Sequence, residues 1–152
     1  MSKKETEGSD KSKPCRTIVF SHSERVKKVV LDLLPAQSEV RLIQIPDLNQ
    51  IITVIEEFKP HIIVTDLHFK SLSPVSIPHS EGIALIRKLK GDNRTNHIPV
   101  VVLSSLISPE EDSLCPTDAE ARECFKAGAV RVFSVVKPPS PAQFVSLIDI
   151  SE

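Results

Sequence analysis

The stretch His61-Ile62-Ile63-Val64-Thr65-Asp66 sets the fold of this chain. Four consecutive β-prone residues without polar alternation predict a strand that is covered on both faces, as the strands of parallel sheets are. The stretch Pro99-Val100-Val101-Val102-Leu103-Ser104 repeats this pattern and again ends in a small polar residue. The sequence therefore predicts a parallel sheet buried between layers of helices.

Strands and helices alternate along the rest of the chain. Short β-prone runs predict further strands over Thr17–Phe20, Val40–Ile45 and Val130–Val136. Apolar residues at helical spacing, together with capping residues, predict a helix after each strand, over Val26–Leu34, Pro46–Phe58, Ile83–Leu89, Thr117–Ala127 and Pro141–Ile150. Because right-handed crossovers return the chain to the same strand direction, these units predict an α/β fold. We expect a flavodoxin-like, doubly wound, five-stranded parallel sheet in the order 2-1-3-4-5, with helices on both faces.

Composition indicates one globular domain behind a polar tail. Residues 1–14 mix both charges with Ser, Gly and Pro, which predicts a disordered tail, and residues 15–152 form the domain. The formal net charge of -1 offers no basic field for nucleic acid. No run approaches the roughly 18 apolar residues that a membrane span needs. We expect a cytoplasmic protein that binds neither nucleic acid nor membranes.

Polar residues follow several of the predicted strands. Ser21 and His22 come after the first strand, Asp66 after the third, Ser104 after the fourth and Lys137 after the fifth. In doubly wound sheets the carboxyl ends of the strands meet at one edge, where ligands bind. A carboxylate, a hydroxyl and an ammonium together suit phosphoryl transfer to the aspartate. Each residue alone also has an ordinary explanation as a turn, cap or solvated residue.

Several motifs resemble those of the receiver domains of bacterial response regulators, from Arg16 to Ile150. KPHIIVTD, ending at Asp66, is similar to the strand that leads to the phosphoacceptor, and IPVVVLSS is similar to the switch strand. VVKPPSPAQF resembles the lysine–proline signature that precedes the last helix of the family. IPHSEG is similar to the family's Met-Pro-x-x-Asp-Gly turn, and FKAGAV resembles its Ala-Gly-Ala turn before the fifth strand.

The resemblance implies a role for each strand-end residue. It makes Asp66 the phosphoacceptor, Ser104 the switch hydroxyl and Lys137 the phosphate-binding lysine. It also implies a cis peptide bond between Lys137 and Pro138.

One departure from the family concerns the metal site. Receiver domains normally carry an acidic pair after the first strand, and here Ser21 and His22 replace it. Mg²⁺ prefers oxygen ligands in near-octahedral geometry. The resemblance leaves Asp66 and the backbone carbonyl of His68 as its ligands, so we expect the ion to be weakly held. His22 and His68 could instead accommodate phosphate or a softer metal ion.

Two loops depart from the family in length. Residues 67–80 and 105–116 are longer than the resemblance predicts, and both follow strand ends. Such loops form either a lid or docking surface over Asp66, or simple solvated connections.

The resemblance leads to two main functional hypotheses. The first is a receiver-like domain of a two-component phosphorelay, phosphorylated on Asp66 by a histidine kinase or phosphotransfer protein. It would then switch a downstream protein target through the face of the fourth helix, fifth strand and fifth helix. The second is a pseudo-receiver, which acts as a protein–protein interaction module without phosphorylation.

A third hypothesis is a phosphatase that uses Asp66 as nucleophile. Haloacid-dehalogenase-like enzymes of this kind place a second acid two residues after the first, where this chain has His68. We therefore expect a regulator and not an enzyme.

Overall fold

A computed structural model describes residues 14–21, 23–44, 47, 49–67, 81–104 and 119–148. The predicted tail up to residue 13, His22, residues 68–80 with His68, and the whole loop 105–116 lie outside the described residues. No helix in the described part of the chain is long and apolar enough to cross a membrane.

The described elements alternate between strand and helix, as the sequence predicts. In chain order they are β1 (Arg16–Phe20), α1 (Glu24–Leu33), β2 (Glu39–Ile43), α2 (Ile51–Phe58), β3 (Ile62–Thr65), α3 (Glu81–Lys90), β4 (Val100–Ser104), α4 (Ala119–Ala127), β5 (Arg131–Ser134) and α5 (Pro141–Val145). The strands form a five-stranded sheet in the order β2-β1-β3-β4-β5, and all neighbours are parallel. The predicted fold class and strand order are confirmed.

Two buried apolar clusters fill the space on the two faces of the sheet, because successive strand residues point to opposite faces. Ile63, for example, belongs to the cluster that packs with α2, α3 and α4. Its neighbour Val64 belongs to the cluster that packs with α1 and α5. The β3 and β4 residues are buried throughout, as expected for central parallel strands.

Local capping explains where two helices begin. Ser23 is the N-cap of α1, and its side chain accepts a hydrogen bond from the Arg25 N–H. Ser140 and Gln143 form a reciprocal capping box at the start of α5, with Pro141 as its first residue. The start of α5 at Pro141 matches the prediction, whereas α1 begins two residues before the predicted Val26.

The elements α2, β5 and α5 are shorter than predicted because side chains or tighter turns compete with them. Asp47 Oδ1 accepts the Asn49 N–H at 3.0 Å in a turn, so α2 begins only at Ile51. Ser134 Oγ accepts the Val136 N–H at 3.1 Å, which ends β5. After α5 the Leu147 and Ile148 N–H groups bond three residues back, in the manner of a 3₁₀ turn.

Candidate functional site

The parallel register brings the carboxyl ends of the central strands to one edge of the sheet. Phe20 pairs with Thr65, so Ser21 and Asp66 follow at the same level. Thr65 pairs with Val102, which places Ser104 one residue farther along the same edge than Asp66. The structure thus brings Ser21, Asp66 and Ser104 to this edge, as the sequence predicts.

Asp66 is buried, with 8% of its surface exposed, and both of its carboxylate oxygens accept hydrogen bonds. Oδ1 accepts the Leu67 N–H at 2.7 Å, and Oδ2 accepts the Ser21 hydroxyl at 3.2 Å. The Asp66 N–H donates to the Phe20 carbonyl at 2.8 Å, which continues the β1–β3 pairing past the strand end. The main chain therefore fixes the position of this carboxylate.

Ser21 is fully buried and has a defined hydrogen-bond geometry. Its backbone N–H donates to the Ile43 carbonyl at 3.3 Å, and its hydroxyl oxygen accepts the Ser23 N–H at 3.0 Å. Because Ser23 caps α1, Ser21 links the Asp66 carboxylate to the beginning of this helix. The sequence places Ser21 near the site, but it does not predict this contact.

Gly82, in the first turn of α3, lies directly against the end of β3. Its N–H donates to the Leu67 carbonyl at 2.9 Å. A Cβ atom at this position would be 2.2 Å from the Asp66 carbonyl oxygen and 2.9 Å from Leu67 Cα. Only glycine permits this approach without a shift of the backbone. The sequence signal for it was the final glycine of IPHSEG.

Ser104 at the end of β4 is fully buried and pairs with Ser134 on β5. Ser134 is also buried, and sequence reasoning missed it. The available signal was a small polar residue inside the apolar run from Val130 to Val136. The two serines give this part of the sheet edge a polar character, while the switch role of Ser104 stays a prediction.

Lys137 is exposed and lies three residues beyond Ser134, the last residue of β5. Among the described residues, no ion pair joins Lys137 to Asp66. The Lys137–Pro138 peptide bond is trans, since none of the described residues has a cis bond, and the expectation of a cis bond is wrong. The trans isomer is the favoured one before proline, by about 0.5–1 kcal/mol, and Lys137 here closes the bend formed by residues 135–137. The phosphate-binding role of Lys137 stays a prediction.

The described residues do not fit the magnesium ion that the resemblance implies. The described part of the chain contains no group of three or more His, Cys, Asp or Glu residues that could hold a metal ion. Among the described residues at this edge, the side chain that contacts the Asp66 carboxylate is the Ser21 hydroxyl, which donates to it. A divalent ion of this kind is usually bound through carboxylates. His22 and the His68 carbonyl, the other residues considered for metal or phosphate, lie outside the described residues.

Comparison with solved structures identifies the fold. A response regulator from Chloroflexus aurantiacus matches with a TM-score of 0.60 and 20% identity, over 88% of this chain and 93% of that chain. The chemotaxis response regulator CheY4 of Vibrio cholerae matches with a TM-score of 0.56 and 18% identity, over 88% and 95% of the two chains. No protein-family model and no curated protein matches the sequence.

A third similar structure bears on the metal question. The receiver domain of a sensor histidine kinase from Pseudomonas aeruginosa has a magnesium ion in its active-site cleft. It matches with a TM-score of 0.57 and 14% identity, over 88% of this chain and 93% of that chain. Together these likenesses show that the chain has the fold of a response regulator receiver domain.

Proposed function

We propose that this chain is the receiver of a two-component phosphorelay in the cytoplasm, and that Asp66 accepts the phosphoryl group. The observation that carries the proposal is the Asp66 carboxylate at the carboxyl end of β3, held by the Leu67 N–H at 2.7 Å. It occupies the edge of the sheet where doubly wound folds place their chemistry. The likeness to receiver domains supports a signal-receiving role for the fold.

The proposed chemistry is a displacement at phosphorus. An Asp66 carboxylate oxygen attacks the phosphorus of a phosphohistidine, the P–N bond breaks, and the histidine leaves with a proton taken from water. The Leu67 N–H and the Ser21 hydroxyl orient the attacking carboxylate. We propose that Ser104 and Lys137 bind oxygens of the transferred group, where donors stabilise its charge.

The proposed partners follow from the same role. A histidine kinase or phosphotransfer protein supplies the phosphoryl group, and a downstream protein binds the face of α4, β5 and α5. In this function the chain is a regulator and does not turn over a free substrate, so a generic aryl phosphate should remain unhydrolysed.

The first prediction concerns the adduct on Asp66. Incubation with a small phosphodonor should add the mass of one phosphoryl group, because a positioned carboxylate is the nucleophile. Intact mass spectrometry measures the adduct, and beryllofluoride should shift the backbone NMR signals around Asp66. Asp66→Asn should abolish both signals, while the control Asp92→Asn, which changes an aspartate in the connection from α3 to β4, should retain them. A phosphoryl adduct on the Asp66→Asn variant would contradict the proposal.

A pseudo-receiver is the second candidate function, and one specific observation favours it. Asp66 has the Ser21 hydroxyl as its neighbour where receivers normally have carboxylates that bind magnesium. In this case the chain would bind its protein partner with the same affinity whether residue 66 is Asp or Asn. The absence of any adduct, combined with unchanged partner binding by Asp66→Asn, would support this candidate.

A further inference from the structure

We infer that the Ser21 hydroxyl takes the place of a divalent cation at Asp66, so that this site is organised without magnesium. The inference deepens the proposed function and rests on it for its part in signalling. It starts from the direct hydrogen bond between two buried side chains, from Ser21 Oγ to Asp66 Oδ2 at 3.2 Å.

The direction of this hydrogen bond follows from the second contact of the same hydroxyl. A serine hydroxyl has one proton to donate and two lone pairs that accept. The Ser23 N–H donates to Ser21 Oγ at 3.0 Å and occupies one of the lone pairs. Ser21 is fully buried, so no bulk water competes for its proton. The proton is therefore directed at the Asp66 carboxylate.

The carboxylate is in turn supplied with one donor on each oxygen. Leu67 N–H bonds to Oδ1 and Ser21 Oγ bonds to Oδ2. A cation that bound Oδ2 from the β1 side would have to displace the Ser21 proton and would gain only a neutral hydroxyl oxygen. Mg²⁺ gives up its water ligands reluctantly, so this exchange is unfavourable.

Electrostatics explain why such a site needs no cation. Carboxylates that share a site repel each other, and a bound cation relieves this repulsion. At this edge the described residues place one carboxylate, Asp66, against a neutral donor. Both oxygens of this carboxylate accept a hydrogen bond, from the Leu67 N–H at 2.7 Å and from the Ser21 hydroxyl at 3.2 Å.

The wild-type protein provides the first test. We expect Mn²⁺ to leave the backbone NMR signals of Ser21, Asp66 and Leu67 unbroadened, and the thermal midpoint to be equal in magnesium and in EDTA. A site with Kd of about 1 mM would raise the midpoint by about 3–6 °C at about 10 mM magnesium. Broadening or a shift of this size, if abolished by Asp66→Asn, would overturn the inference.

Variants at position 21 provide the second test. Ser21→Asp should lower the thermal midpoint in EDTA and should gain a magnesium-dependent rise that Ser21→Asp combined with Asp66→Asn lacks. Ser21→Ala removes the hydrogen bond without adding a charge and should stay indifferent to magnesium. A folded Ser21→Asp variant without any response to magnesium or Mn²⁺ would also overturn the inference. If Ser21→Asp does not fold, the Mn²⁺ measurement on the wild type decides.

The same samples separate this inference from the proposed function. An adduct that forms on Asp66 with a small phosphodonor in EDTA supports both. Failure to form an adduct under any condition contradicts phosphorylation of Asp66, whereas the metal response of the wild type and of Ser21→Asp still decides the role of Ser21.

Discussion

Thr17 and Thr95 are both fully buried, but within the described part of the chain only the Thr95 hydroxyl has a hydrogen-bond partner. Thr95 Oγ1 donates to the Leu89 carbonyl at 2.7 Å. Thr17 Oγ1, on β1, has no hydrogen-bond partner within the described part of the chain. A buried hydroxyl without a partner keeps the cost of its lost hydration. The same substitution, threonine to valine, can therefore be compared at a hydroxyl without a partner and at a hydroxyl with one.

We predict that Thr17→Val raises the free energy of unfolding by about 1 kcal/mol, because it removes an unsatisfied polar group at nearly constant shape. Thr95→Val should lower it by about 1–2 kcal/mol, since the Leu89 carbonyl loses its donor. Urea unfolding measures both values. Equal destabilisation by the two substitutions would show that the Thr17 hydroxyl is satisfied in solution.

At the scale of elements, α3 is fixed to the end of β3 by the close approach of Gly82. The contact is between backbones, so no side-chain rotation can relieve an added methyl group. Gly91, after the same helix, is a milder position, because a Cβ there would meet Arg87 O at 3.2 Å. The position of Asp66 therefore depends on the identity of residue 82.

We predict that Gly82→Ala lowers the free energy of unfolding by about 2 kcal/mol, as overpacking against backbone does. It should also shift the NMR signals of Asp66 and Leu67, because the Cβ would push on their backbone atoms. Gly91→Ala, the control, should change stability by less than about 1 kcal/mol and leave these signals in place. Unshifted NMR signals of Asp66 in the Gly82→Ala variant would show that α3 is not held this tightly against the end of β3.

The connection from α3 to β4 is held by charged groups. Lys90 Nζ donates to the carbonyls of Asn96 at 3.0 Å and Ile98 at 2.8 Å. Arg94 Nη2 lies 2.8 Å from Asp92 Oδ2. Hydrogen bonds from the Arg94 side chain, and then from its backbone N–H, lower the pKa of Asp92 to about 2.

We predict an acid-dependent loss of this ion pair. The folded pKa of Asp92 lies below its unfolded value, so its contribution to stability is present above about pH 4 and is lost as the pH falls through about 2. Carbon NMR of the side-chain carboxyl should give a midpoint near 2, and Arg94→Gln should raise this midpoint toward the ordinary value. An unchanged midpoint in Arg94→Gln would assign the low pKa to another cause.

At the scale of the whole molecule, the sheet separates two apolar clusters and leaves its carboxyl edge for polar groups. The central strands are buried on both faces, so their side chains serve packing. The polar residues Ser21, Asp66, Ser104 and Ser134 lie at strand ends, where the packing constraint stops. The side chains at this edge can therefore be substituted, and the chemistry of the site changed, without loss of the packing that stabilises the sheet.

The sequence by itself determined the alternation of strands and helices, the parallel sheet and the candidate edge. Strands that are buried on both faces consist of continuous apolar runs, and amphipathic helices carry apolar residues at a period of 3.6. Both kinds of element can therefore be predicted from the local sequence pattern. The same patterns pointed to Asp66 and Ser104, because each follows the β-prone run of a buried strand.

Only the tertiary structure decided which of these side chains meet. The Ser21–Asp66 hydrogen bond joins residues 45 positions apart and depends on the β1–β3 register, which no local pattern records. The Gly82 contact depends on how closely α3 approaches β3. Lys137 follows the turn at Ser134, where the Val136 N–H bonds to the Ser134 hydroxyl before the apolar run has ended. Contacts between distant residues follow from register and packing distance, and these exist only in the folded chain.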